Sequence, residues 1–260
     1  MVQAQYNESI LSDRPGQTLS ANTVGKWIFQ WQMGLNTTGN SSKEFEISDY
    51  NFVNVHHFRL GFSDRWEIGV DLEYLKNIAP TTGAQDEANG LSELSYNLRG
   101  NVIKGNGLKP ALAVFFKSHY GIINESFLGG LKGVAVGLAT NQTFLDNWAF
   151  STNLTARIDN LSSSTTLLYS IKLSKAFSND LSVFLEHYSE IMVGNWQPRF
   201  DAGVLWRINH DLQIDLHGGY NNNRVNFTGP GWYDFYNSAY SQWFLSAGVS
   251  WRVSLRKRNH

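Results

Sequence analysis

The chain has no cysteine and only 5 prolines in 260 residues. The first absence excludes disulfides, thiolate nucleophiles and thiolate metal sites. The second suits a strand-rich chain, because proline inside a strand removes a ladder hydrogen bond. No apolar run approaches the roughly 18 residues of a membrane-spanning helix, so any passage through a membrane falls to strands. Charge imbalance is missing as well. The formal net charge is −1 and 17% of residues are charged, which leaves no electrostatic case for nucleic acid as a partner.

What the chain does have is aromatics (9 Trp, 11 Tyr, 16 Phe), 23 glycines and a strict alternation. Trp66, Ile68, Val70, Leu72 and Tyr74 interleave with Glu67, Gly69, Asp71 and Glu73. Successive side chains of a strand point to opposite faces, so this stretch is a ribbon with one apolar and one polar side. Comparable ribbons recur about a dozen times, the first near 26–36, 50–62 and 65–75. Short turns such as Ser63-Asp64-Arg65 and Gly105-Asn106-Gly107 alternate with longer connections such as Asn36 to Asp49 and Asn77 to Gly90. The pattern predicts an all-β, up-and-down antiparallel transmembrane barrel of about twelve strands, with five tight turns at one end and six longer loops at the other. Residues 26–255 form the barrel in this reading, 1–25 an N-terminal periplasmic segment, and 256–260 a basic tail. Val2-Gln3-Ala4 reads as the end of an export signal, with Gln5 the first mature residue.

Trp27, Trp66, Trp148, Trp206 and Trp251 fall on the apolar row near the short-turn end, where amphipathic rings favour a membrane interface. The opposite row predicts the lumen. Its candidates are Glu67, Asp71, Glu73, Glu93 and Arg99 on the third and fourth strands. Further round come Arg157, Lys172, Glu186, Arg207, Asp215, His217 and Arg252, with Lys117 and Asp201 on the same face. Hairpin register places Glu67 opposite Arg99 and brings Glu73 towards Glu93. Such a mixture can line a selective channel or close a narrow barrel with ion pairs, since interior width grows with strand number.

Signs of catalysis are weak. A hydrolase needs a nucleophile, a base and an orienting third group, yet His187 and Ser189 share the lipid-facing row. His56 and His57 diverge on a strand and make a poor metal pair. His119, His210 and His260 read as loop or tail residues. No catalytic residue, metal site or cofactor is expected.

Asp13-Arg14-Pro15-Gly16-Gln17, then Ser20-Ala21-Asn22-Thr23-Val24-Gly25-Lys26 running into Trp27-Ile28-Phe29-Gln30, resembles the meta-pathway phenol-degradation family. These are outer-membrane proteins of Gram-negative bacteria, Bacteroidetes-type ones included. The resemblance implies an outer-membrane barrel passing small, often aromatic compounds, and carries over no binding or catalytic residues. Two functions are therefore expected to compete. One is a passive outer-membrane transporter for small solutes. The other is a non-transporting accessory barrel that contacts other outer-membrane proteins. A hydrolase at the rim ranks third.

Overall fold

The computed structural model describes residues 9–42, 47–81, 84–121, 130–145, 147–159, 164–192, 195–224 and 239–256. The proposed export signal and most of the tail lie outside them. Twelve strands run in chain order: β1 (Ile28–Ser42), β2 (Ile47–Gly61), β3 (Trp66–Thr81), β4 (Ala84–Ile103), β5 (Ala111–Gly121) and β6 (Gly130–Phe144). The second half holds β7 (Trp148–Asp159), β8 (Ser164–Ala176), β9 (Leu181–Met192), β10 (Asn195–Asn209), β11 (Leu212–Arg224) and β12 (Ala239–Ser254). Each pairs antiparallel with its sequence neighbour, and β1 pairs with β12, so the barrel is closed and presents no unpaired strand edge.

The strands run longer than the alternation indicates. Tyr74↔Leu91 pairing continues to Thr81↔Ala84, so the expected connection from 77 to 90 is largely the upper part of the β3–β4 hairpin. Ladder hydrogen bonds need only backbone, and they persist where the apolar row lapses.

The barrel is inside out relative to a soluble protein. Leu35, Val136, Leu154, Leu185, Leu216 and Leu245 are exposed on its outer face, and so are Trp27, Trp66, Trp206 and Trp251, with Trp148 half-buried. The buried side chains are mostly polar: Gln30, Gln32, Arg59, Glu67, Glu186 and Gln213 are all 3% exposed or less.

A polar lumen filled by the N-terminal segment

The segment set apart from the barrel in the sequence does not extend away from it. Residues 9–25 lie inside the lumen at the short-turn end, held by side chains from around the wall. The sequence reads residues 1–25 as an N-terminal periplasmic segment without partners on the barrel; residues 9–25 have such partners around the wall.

Four groups of contacts hold it. In the first, Asp13 accepts hydrogen bonds from both terminal nitrogens of Arg99, at 2.9 and 2.7 Å, and pairs with Arg59 at 3.2 Å. Glu67 pairs with Arg59 at 2.8 Å and with Arg99 at 3.5 Å, and accepts the Val24 N–H at 2.7 Å. Two carboxylates thus sit between two guanidiniums, which is how buried charge is tolerated. Burial alone would raise the Asp13 carboxyl, but Arg59 and Arg99 outweigh it and hold the group well below its ordinary value of 3.8.

In the second, Arg14 reaches Asp215 at 3.0 Å and Ser246 at 2.8 Å. It lies across Gly34 and Gly248, where a Cβ would come within 2.2 Å of its guanidinium. In the third, Glu186 accepts the N–H groups of Gln17 and Thr18, both at 2.6 Å, and the Thr18 hydroxyl. Lys172 donates to the carbonyls of Pro15 and Thr18 at 3.2 Å. In the fourth, wall amides satisfy the backbone further on. Asn153 bonds both the N–H and the C=O of Leu19, while Asn141 and Asn101 take the N–H and C=O of Ala21. A segment without secondary structure has its backbone groups paired by the lumen wall.

Gly16 shows how tight the fit is. Its φ of +96° favours glycine, and an added Cβ would lie 2.5 Å from a Glu186 oxygen. Gly16→Ala is expected to cost about 1–3 kcal/mol of segment docking. Faster proteolysis of the N-terminus in an otherwise intact barrel would report the loss, and an unchanged cleavage rate would refute the tight fit.

Beyond the segment the lumen opens into a chamber of about 660 Å³. One wall is ionic. Asp71 takes His57 at 3.0 Å and Lys117 at 2.9 Å; on the same face but outside the cavity lining, Glu93 takes His119 at 2.8 Å and Ser95 at 2.5 Å. Glu73 stands opposite Glu93 in register and accepts from Ser92 at 2.7 Å. The opposite wall is aromatic. His217 and Phe244 line it, 5.6 Å between centroids, together with Tyr188, and buried Phe184 packs against His217 at 6.2 Å outside the cavity lining. Gly203 and Gly219 give these rings room, since a Cβ at either would be 2.4 Å from the neighbouring side chain.

The predicted lumen residues therefore divide by depth. Glu67, Arg99, Lys172, Glu186 and Asp215 bind the segment, and Arg252 joins them through the Ser9 carbonyl at 3.2 Å while pairing with Asp211 at 2.8 Å. Asp71 and Glu73 line the chamber, Glu93 pairs with His119 on the same face outside the cavity lining, and Arg157 lies near Glu190 at 3.8 Å. His217 is buried 3.7 Å from Asp215. Arg207 belongs to the turn end, where it donates to the Asn179 carbonyl. His119 is not a loop residue: it sits on β5 and faces Glu93 in the lumen. His187 bonds the Tyr169 hydroxyl and the Arg199 carbonyl and contacts the Phe200 ring, with no serine among those partners. The alternation alone misses Asp13, Arg14, Arg59, Asn141 and Asn153. The glycines at 34, 203, 219 and 248 are the available signal, since missing side chains on a lumen row mark where large ones cross.

No protein-family model and no curated protein matches this sequence. Among solved structures, an outer-membrane channel from Pseudomonas putida F1 is similar over 92% of this chain and all of its own, at 11% identity and a TM-score of 0.63. The NanC porin covers 85% of this chain and is wholly covered itself, at 8% identity and a TM-score of 0.56. The translocator domain of the autotransporter NalP from Neisseria meningitidis is similar over 86% of this chain and 88% of its own length, at 9% identity and a TM-score of 0.55. At such identities the likeness establishes the barrel architecture alone, which two kinds of channel and a protein translocator share.

Proposed function

We propose that this protein is a passive outer-membrane channel for small solutes, aromatic ones among them, whose short-turn end is closed by residues 9–25. The observation that carries the reading is a polar, chambered lumen enclosed by a wall whose outer face is apolar. Such an exterior is stable only against lipid, and a polar interior of this kind is what a solute path requires. The aromatic wall of Tyr188, His217 and Phe244, and the resemblance of residues 13–30 to the meta-pathway phenol-degradation family, support aromatic compounds among the solutes.

One observation favours the other reading, a non-transporting accessory barrel in an assembly with other outer-membrane proteins. The segment is bonded on all sides, so the resting lumen is filled at one end.

Conductance and solute flux separate the two. The channel reading expects discrete conductance in planar bilayers and uptake of small phenols into vesicles. Lys117→Glu in the chamber is expected to shift the reversal potential towards cations by roughly 10–30 mV in a salt gradient, because charges lining a pore set its selectivity. Silence and absence of flux, both in the full chain and after removal of residues 1–25, would leave the accessory barrel as the reading.

A further inference from the structure

Three short turns at one end of the barrel adjoin each other. They are 104–110 between β4 and β5, the connection between β6 and β7 that holds Leu145 and Asn147, and 177–180 between β8 and β9. Thr143 N–H donates to the Gly107 carbonyl at 3.3 Å and Ala176 N–H to the Asn147 carbonyl at 2.9 Å, tying the turns into one arc. Two features of this arc suit water poorly. Leu108 and Leu145 stand 72% and 76% exposed at the turns. The Lys175 ammonium lies 4.8 Å from the centre of the Trp148 ring and 5.6 Å from that of Phe177. Among the described residues no carboxylate pairs with it. Lys104 and Lys109 are exposed on the neighbouring turn.

Ammonium groups beside rings and exposed leucines match the headgroup layer of a bilayer. There the cation meets phosphate while rings and leucines enter the acyl boundary. Higher on the same side, the outer wall has a hollow of about 570 Å³ between Trp66, Phe116, Val136, Leu154, Ala156 and Leu167. Small Ala156 pairs with Val136, and Leu154 pairs with Leu138, so the hollow is a local thinning of the apolar row. Along β7, Leu154 is roughly 20 Å from Trp148, a span an acyl chain can bridge.

We propose that this arc and hollow bind one anionic phospholipid of the leaflet on the short-turn side. Its phosphate meets Lys175, with Lys104 and Lys109 nearby, and one chain lies in the hollow. The assignment rests on the membrane reading above. The Lys175 ammonium, which no carboxylate pairs with among the described residues, selects an anionic headgroup, and the hollow above selects a ligand with a chain over free phosphate.

The test reconstitutes the full chain in vesicles containing phosphatidylglycerol and phosphatidylcholine with identical chains, extracts it in mild detergent, and weighs retained lipid by native mass spectrometry. Phosphatidylglycerol is expected to be retained over phosphatidylcholine by about fivefold or more. Lys175→Ala is expected to lower that ratio several-fold and Lys175→Arg to keep it. Ala156→Phe, which fills the hollow, is expected to reduce retention of both lipids and leave their ratio unchanged. Equal retention of the two lipids, or a ratio indifferent to Lys175→Ala with Lys104→Ala and Lys109→Ala added, overturns the site. A folded barrel that fails to enter phosphatidylcholine vesicles overturns the membrane reading itself, whereas entry without anionic preference overturns the lipid site alone.

Discussion

Deleting residues 1–25 is expected to raise single-channel conductance about tenfold, since a twelve-stranded barrel without its filling has a lumen wide enough for hydrated ions. The deletion should leave the barrel closed, because the β1–β12 seam runs from Ile28↔Ser254 onward, and the Leu255 N–H bond to the Trp27 carbonyl beyond it also lies outside the deleted residues. It strips the segment's donors and acceptors from Glu186, Asp215, Asn141 and Asn153, which would be costly in a dry interior, although Asn141 keeps Ser151 and Asn153 keeps the Thr152 carbonyl. Here the space vacated is polar and open at one end, so water replaces the lost donors and acceptors. Arg59, Glu67 and Arg99 keep one another, because Glu67 contacts both arginines without help from the segment. Recordings in planar bilayers, paired with gel migration that distinguishes folded from heated barrel, check the prediction. A folded barrel with the conductance of the full chain would show that residues 9–25 do not limit the path.

How much of this arrangement is legible in the sequence follows from how local each signal is. Strand alternation has a period of two and needs no distant information, so by itself it sorts Glu67, Asp71, Glu186 and Asp215 onto the lumen face. Hairpin register is less local: the sequence reads the β3–β4 connection as long, and a register shift between Glu73 and Tyr74 separates the Glu67↔Arg99 and Glu73↔Glu93 pairs from the turn, so alternation places them on one face but only approximately opposite each other. Residues 9–25 offer neither kind of information. They have no period, and their partners lie far away in sequence: Asp13 finds Arg59 and Arg99, Arg14 finds Asp215, and Thr18 finds Glu186. A segment whose conformation is dictated by the wall around it cannot be read until that wall exists. His119 is misplaced for a lesser reason. The apolar row weakens at Ser118, which suggests that β5 has ended, although the ladder continues to Gly121.

Asp13 makes the docking of the segment dependent on pH, in a direction that can be worked out. A carboxyl whose docked pKa lies below its free value stabilises the docked state fully at pH above the free value. It surrenders that contribution as the pH falls towards the docked value. Asp13 is depressed from 3.8 by the guanidiniums of Arg59 and Arg99, so docking should be insensitive to pH from neutrality down to about 5 and weaken progressively below about 4. Open probability in bilayers should therefore rise on acidification, with the barrel itself still folded. Asp13→Asn should bring that change to neutral pH. It leaves Glu67 as the carboxylate that pairs with both Arg59 and Arg99 among the described residues. Removing one member of a buried ion-pair network costs about 3–5 kcal/mol, which multiplies the undocked population by roughly a hundredfold or more. The variant should also lose most of its acid response, because the titrating group is gone. Arg99→Gln attacks the same node from the wall and should open the lumen likewise, whereas Lys175→Ala, on the outer face, should leave gating unchanged. Equal open probability for Asp13→Asn and the parent chain at pH 7 would mean that backbone contacts to Glu186, Asn141 and Asn153 suffice to hold the segment. An acid response that survives in Asp13→Asn would place the titrating group elsewhere, among the other carboxylates of the lumen wall.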